Sequence, residues 1–534
     1  MVLENCRELR IPVGLRIGVT GQRSLDDVPL LRDSLRQVLA RLDRILRHTE
    51  HRFIAVASIS EGSDRLLARE VLDWPYTGTA SSELHIIIPD TIEGALNICT
   101  TSASRGECEE FLQRATEVRS IGSVNPGEDK CVALGHEIVR SCDLLVAIWD
   151  GRPAVSRGGA GEMVKYARMV GRSLFWIHKD SGKITEERHS DGILESLEYL
   201  DVFNAEGIDI SEVSERCRRR CSNLSTRAEV LGLPSDLVRY LRPTLLPHLE
   251  QALILTKRYE RRYLCSGSAV YALAAAATAT VTLQVLFFAA YPWLIWLEVA
   301  EMATILLLIM LSRVCDWHRK WIDYRFLSGR LRSAIFLSLF CLDPDDTPSV
   351  HDPGLLDSAN DWIGITFQEI MKGCPLESCR LDLPFEPVKN FLLTAWIDRE
   401  IAFYVSNSQL NHKRSDLLWR VGEGLFAMTL VFAAVHAMGI MHGEHFPDSL
   451  IIALTIILPA VGAALGGIRT KREYLRSSVS YAHMVRNMSV IGHRIRNAKD
   501  MSELLGCLRE ANEAILREQQ DRRDVFSFRE LETP

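Results

Sequence analysis

Among the 13 cysteines of this 534-residue chain there is no Cys-x-x-Cys pair. Cys217 and Cys221 stand four apart and Cys374 and Cys379 five, so neither pair has the two-residue gap and second ligand pair of a zinc site. An odd number of scattered thiols suits a reducing cytosol, not a disulfide scaffold. Positive net charge is missing as well. The chain carries 62 Lys and Arg against 69 Asp and Glu, a net −7, which leaves no electrostatic footprint for nucleic acid. The opening "MVLENCRELRIPVGLRIGVTG" lacks a continuous apolar core followed by small residues. No cleaved signal peptide is therefore expected, and the first domain should stay on the side where the chain is made. Charge itself all but vanishes in four windows after residue 265, although it makes up 25% of the whole.

The first 180 residues alternate strand-like and helix-like runs. "LRIGVTG", "FIAVASIS", "ELHIIIPD", "DLLVAIWD" and "SLFWIHKD" are short Val-, Ile- and Leu-rich strands. Between them lie amphipathic helices such as "VPLLRDSLRQVLARLDRILRHT", "EGSDRLLAREVLDW", "CEEFLQRATEV", "KCVALGHEIVRSC" and "GAGEMVKYARMVG". Apolar strands separated by helices imply a parallel sheet covered on both faces, a Rossmann-like doubly wound α/β domain over residues 1–182.

A charged helical linker is expected over 183–262, followed by an α-helical membrane domain with four transmembrane helices. Ser266 to Tyr291 has no charged residue, enough to span about 30 Å of hydrocarbon. Trp293 to Ser312 is apolar except for Glu298 and Glu301, and Gly424 to Met441 and Ser449 to Ile468 are the third and fourth segments. The first hairpin with its following helix occupies 263–345, a helical connector 346–416, and the second hairpin with a C-terminal helix 417–534. Lys257, Arg258, Arg261, Arg262, Arg313, Arg319, Lys320, Lys413, Arg414, Arg420, Arg469, Lys471 and Arg472 flank the segments, whereas the joining turns "AAYPW" and "MHGEHFPD" have no Lys or Arg. All basic flanks then lie on one side, which puts both termini in the cytoplasm and the chain in the lipid bilayer of the inner membrane. The two hairpins share this architecture, so a loose internal duplication is expected.

Three glycine turns follow strands. In "GVTGQRS", Gly18, Thr20 and Gly21 precede Arg23. "SISEGSDRLLA" places Glu61, Gly62, Ser63 and Arg65 at a helix start. In "WDGRPAVSRGGAGEM", Asp150 ends a strand, and Arg157, Gly158, Gly159, Gly161 and Glu162 open a helix. Glycine permits a tight turn and close approach of a phosphate to backbone N–H groups. In an open parallel sheet ligands collect beyond the carboxyl ends of the strands, so three such turns read as one site for a phosphate-bearing ligand. Each element also has a plainer reading. A glycine serves a structural turn, Asp150 caps its own turn, and Arg23, Arg65 or Arg157 sits solvated instead of clamping phosphate. His136 reads as a helix-surface residue.

Together "GVTGQR", "EGSDRLLA", "SCDLLVAIWDG" and "GGAGEMVKYAR" resemble the SLOG superfamily over roughly residues 12–180. The resemblance implies a Rossmannoid domain that either senses nucleotide-derived signals or cleaves nucleotides as a phosphoribohydrolase. "WHRKWIDYRFLSGRLRSA" and "AWIDREIAFYV" resemble the SLATT membrane modules, inferred to form pores in bacterial antiviral defence. The hydrolase members carry PGG-x-GT-x-x-E. Here "RGGAGEMVK" keeps Gly158, Gly159 and Gly161, but Arg157 stands for the proline, Glu162 for the threonine and Lys165 for the glutamate. A lysine does not polarise ribose as a carboxylate would, so a binding pocket is expected in place of an active site, with no catalytic residue, cofactor or metal.

The implied partners are a nucleotide-derived second messenger, either cyclic ADP-ribose-like or a cyclic oligonucleotide, the bilayer, and further copies of the chain in a homo-oligomer. The rival expectation is a membrane-tethered N-glycosidase acting on nucleotides or NAD. Glu298 and Glu301, one helical turn apart, either line a cation-favouring pore mouth or sit at the outer interface. Gly462 and Gly466 have the small-residue spacing that lets helices pack closely, and His436 reads as a packed residue.

Overall fold

The computed structural model describes residues 9–75, 82–97, 99, 101–122, 129–152, 157–187, 192–234, 237–238, 244–339, 361–374, 383–438 and 445–527. These fall into two units: residues up to Ile210 together with 361–373, and residues from Ser211 onward without that excursion.

The first unit is built on a seven-stranded sheet. In chain order it runs β1 (Val13–Gly21), α1 (Val28–Ile45), β2 (His51–Ala57), α2 (Ser63–Leu72), β3 (Glu83–Ile88), α3 (Ile92–Asn97), α4 (Ser102–Arg114), β4 (Glu117–Ser120), α5 (Lys130–Ser141), β5 (Leu144–Trp149), α6 (Ala160–Met169), β6 (Ser173–His178), β7 (Ile184–Glu187) and α7 (Ile193–Ala205). The strand order is β4-β3-β2-β1-β5-β6-β7. Every pairing is parallel except β6 with β7. The expected all-parallel sheet thus gains an antiparallel edge. β4 and β7 were not foreseen, because each is only four residues long and neither has a buried apolar face. Glu117 and Val118, expected within a helix, belong to β4.

The interior strands read as continuous apolar runs because both faces are covered. Leu144 to Ile148 of β5 are wholly buried. Successive side chains of a strand point to opposite faces. A Cβ on Gly18 would lie 2.7 Å from Cys142 Sγ, next to α5, while one on Gly21 would run into Ser63 of α2. The two glycines therefore serve opposite faces of β1.

The end of the sheet away from the strands' carboxyl termini is closed by α7. Asp201 accepts from His48 N (2.7 Å) and Thr49 Oγ1 (2.9 Å), and Asn204 exchanges hydrogen bonds with the Ile11 backbone (3.0 Å each). α12 (Trp362–Lys372) packs on α7 and β1, with Trp362 against Phe203 at 5.8 Å between ring centroids. The unit thus extends past residue 182 and takes in a helix expected to belong to the connector. Nothing in the local pattern of α12 tells which apolar surface it covers.

The second unit is helical. After α8 (Ile210–Val230) come α9 (Leu245–Phe287), α10 (Leu294–Val314) and α11 (Trp317–Ser338). Past α12 the chain continues as α13 (Phe385–Leu392), a π-helical stretch (Leu393–Ile397), α14 (Asp398–Ala437), α15 (His445–Lys471), α16 (Tyr474–Asn497) and α17 (Met501–Ser527). Among the described residues four helices are long and apolar enough to cross a membrane, and each overlaps one expected segment, the first ending at Phe287 short of Tyr291 and the third at Ala437 short of Met441. The turn "AAYPW" joins α9 to α10, whereas the first four residues of "MHGEHFPD" lie outside the described residues and the last four open α15. α9 and α14 run well beyond any bilayer thickness on the basic side.

The two hairpins share a conformational feature. Asp316 (φ 48°), two residues past the end of α10, and Glu473 (φ 47°), two past the end of α15, are left-handed N-caps from which α11 and α16 start. α11 packs on α9 through Tyr324 against Tyr259 (5.6 Å), and α16 packs on α14 through Tyr481 against Tyr404 (5.7 Å). Neighbouring helices follow the order α10-α9-α15-α14, a row without substantial packing between α10 and α14. α9 and α15 meet where Gly467 lies against the ring of Tyr271, with no room for a Cβ. Gly462 is close to Phe426 (3.0 Å from an added Cβ), while Gly466 faces open space. Basic flanks gather at one end. Arg472 Nε donates to Ser268 Oγ (3.1 Å), Arg469 Nε to Ser415 Oγ (2.9 Å), and Lys471 lies over the Tyr263 ring (4.7 Å). Burial and the Lys471 charge hold the His318 imidazole neutral, down to about 4.

Candidate functional site

Strand order reverses between β1 and β5. The chain steps outward from β1 to β4, then returns to lay β5 on the other side of β1. At such a reversal the two following loops diverge and leave a crevice beyond the carboxyl ends. Gly21 pairs with Ile148 there, so the loops after β1 and β5 leave the sheet side by side.

The loop after β2 joins them. Ser63 N donates to Gln22 O (3.2 Å), as does Ser63 Oγ (3.2 Å). Gly62 has φ 88°, a region favouring glycine, and a Cβ there would overlap the carbonyl oxygens of Gln22 and Arg23. Thr20 is nearly buried beside Ala147. Gly21, Gly62 and Ser63 are thus occupied with bringing the β1 and β2 loops together. Gly18 lies inside β1, three residues short of its end, and accommodates α5. Burial pushes the Cys142 thiol beside it up to about 12, so that group is an inert filler.

The arginine candidates separate. Arg65 is buried; its Nε donates to Ile59 O (3.1 Å) and its Nη1 to Glu107 Oε2 (2.7 Å). It is an internal tie between the loop after β2 and α4. Arg23 and Arg157 are exposed and form no ion pair among the described residues. Glu61 accepts from Ser104 Oγ. Asp150 accepts from Arg152 N (3.1 Å), the turn-capping role.

The start of α6 is the third glycine turn. Gly158 has φ 77° and stands against Cys131, 3.0 Å from an added Cβ to Cys131 Cβ. Gly159 is the N-cap at φ −74°, ψ 162°. The N–H groups of the first turn have no acceptor within the helix and, with its dipole, favour an anion. One anion is already present: Glu162 Oε2 accepts from Gly158 N at 2.7 Å. Glu162, in the first turn of α6, is therefore tied back to the loop residue ahead of the N-cap, and Lys165 is exposed. Residues 153–156 of this loop lie outside the described residues.

Two residues were missed from sequence. Ile59, β-branched and buried, sits at φ 55° in the loop after β2, a costly conformation for such a side chain. Asp64 accepts from Ser58 N (3.2 Å) and Ser58 Oγ, and burial pushes its carboxyl above the ordinary range against those hydrogen bonds. Together Asp64 and Arg65 fix this strained loop beside the crevice. The pattern "SISEGSDR" contains both, but only the fold turns them inward.

In the second unit Glu301 accepts from Thr280 Oγ1 of α9 (3.3 Å), so it is held between the helices of its hairpin, and Glu298 is half-buried one turn earlier. No protein-family model and no curated protein matches the chain.

Proposed function

We propose that the chain is a ligand-gated membrane effector. Its Rossmann-like unit binds a nucleotide-derived messenger, cyclic ADP-ribose-like or a cyclic oligonucleotide, at the β1/β5 crevice, and the four apolar helices respond in the bacterial inner membrane with both termini cytoplasmic. The observation that carries this reading is a strand-order reversal with a glycine-opened helix start, in one chain with four membrane-length helices. Arg23 and Arg157 supply free guanidinium groups at two of the loops, suited to phosphate oxygens. The resemblance to SLOG and SLATT proteins supports the same reading and implies a role in antiviral defence. A row of four helices does not enclose a lumen, so a pore takes several copies, with Glu298 at its mouth. The shift between closed and open assemblies is limited to the ligand's difference in affinity for the two.

Glu162 is engaged by the Gly158 N–H and Lys165 stands where the hydrolases have their carboxylate, which supports binding without turnover. The test is the full chain in lipid nanodiscs, incubated with cyclic ADP-ribose and cyclic oligonucleotides, with binding measured by calorimetry and the recovered ligand by chromatography. Recovery of intact ligand after binding is expected. A released base or ribose phosphate would establish the N-glycosidase instead.

A further inference from the structure

Four arginines from three helices of the second unit converge beside the π-helical stretch Leu393–Ile397. Arg220 and Arg227, seven residues apart, share one face of α8; Arg332 comes from α11 and Arg399 from the first turn of α14. Two are neutralised. Arg220 Nε donates to the buried Glu250 (2.5 Å) and Arg332 Nη1 to the buried Glu400 (3.0 Å). Arg227 Nη1 reaches only a carbonyl, that of Thr394 in the π stretch (2.9 Å). Arg399 is exposed and has no ion pair or hydrogen bond among the described residues, while Arg227, Arg220 and Arg332 all oppose its charge and only Glu400 favours it.

Fixed like charges on rigid helices cost free energy unless a counter-ion joins them. A π stretch inside a long helix is itself uncommon and concentrates at functional sites. We propose that Arg227 and Arg399 form a binding site for a phosphate-bearing anion, with Arg220 and Arg332 completing its positive field. The planar guanidinium fork matches phosphate oxygens two at a time. The anion is soluble and not a lipid headgroup: from Arg399 to the apolar stretch starting at Gly424, α14 is unbroken and covers about 37 Å at ~1.5 Å per residue. Polyphosphates, including nucleoside di- and triphosphates, are the chemical class. The site draws on no residue of the sheet unit and stands independently of the crevice. An anion held there grips the base of the helix that becomes the third apolar segment.

The test uses the full chain in nanodiscs and inorganic pyrophosphate, titrated by calorimetry at low and high salt. Wild type should bind, more weakly as salt rises. Arg399→Gln and Arg227→Gln should each weaken binding about ten- to hundredfold, the loss expected for a charge-assisted contact. Arg219→Gln, on the exposed side of α8 where Arg219 pairs with Glu215, should leave binding unchanged. The anion-free melting temperature of Arg399→Gln should equal or exceed that of wild type, because a like charge has been removed. Should one variant not fold, the other gives the same readout. Wild type that ignores pyrophosphate, or both variants binding it as tightly as wild type, would overturn the proposal. Binding to phosphatidylglycerol vesicles in the absence of any pyrophosphate binding would overturn the assignment to a soluble anion.

Discussion

In the sheet unit Leu145, Val146, Ala147 and Ile148 of β5 are 0% exposed, whereas in α10 of the helical unit Leu306, Leu307 and Met310 are 62%, 55% and 63% exposed. Both stretches are about equally apolar. The strand is covered by helices on its two faces; the helix packs mainly on α9 and leaves much of its surface exposed. Apolar patches of that extent need another apolar medium. The contrast also separates the polar groups. In the sheet unit the buried Arg65 is tied to Glu107, while in the helical unit the basic flanks Arg472 and Lys471 collect at one end of the row, where a bilayer surface would hold them.

The contrast breaks most simply if the helical unit does not need lipid. Dilution of the detergent below its micelle concentration should drive the full chain into large aggregates in light scattering, and a monodisperse chain would show that the exposed faces of α10 and α14 are covered by protein. The next largest effect is expected in the sheet unit. Arg65→Ala leaves Glu107 to Arg69 alone and removes the donor to the Ile59 carbonyl, which should cost about 1–3 kcal/mol in chemical denaturation. Measured in nanodiscs, the loss should appear in the sheet's transition and not in the helical one. A loss of ligand affinity with unchanged stability would return Arg65 to the binding site. A smaller effect sharpens the role of α6. Glu162→Gln removes the carboxylate that occupies the helix start, and the affinity for a phosphate-bearing messenger should rise roughly two- to fivefold, as expected for one charge near a helix terminus. A fall in affinity would mean that Glu162 contacts the ligand directly.

The alternation of apolar strands and amphipathic helices made the interior of the sheet legible, as did the four long uncharged runs of the helical unit. The edges were not. β4 and β7 are four residues each and pair at the margin, where no buried face imposes a pattern. The glycine turns were legible as turns, but not in their allegiance. Gly18 and Gly21 look equivalent in "GVTGQR", yet three residues along a strand reverse the face, so one packs on α5 and the other on α2. Arg65 and Arg157 were equally plausible as phosphate clamps. Only the fold shows Glu107 against the first and solvent around the second. In the apolar helices the glycine spacing pointed to Gly462 and Gly466, whereas α15 meets α14 at Gly462 and α9 at Gly467. Spacing fixes a face only to within a neighbouring residue, and the packing partner decides the rest.

The central claim joins the two units: ligand in the crevice opens the membrane. Its most direct test is dye release from liposomes containing the full chain, with nucleotide-derived messengers added outside, where the sheet unit of correctly oriented copies is reached. Gly159 has backbone angles that any residue adopts and aspartate is a favoured N-cap, so Gly159→Asp should keep the fold while placing a carboxylate where the phosphate sits. Wild type should release dye on addition of one messenger class, and Gly159→Asp should insert equally well but stay silent. Release by the variant at the same messenger concentration as wild type would contradict the account.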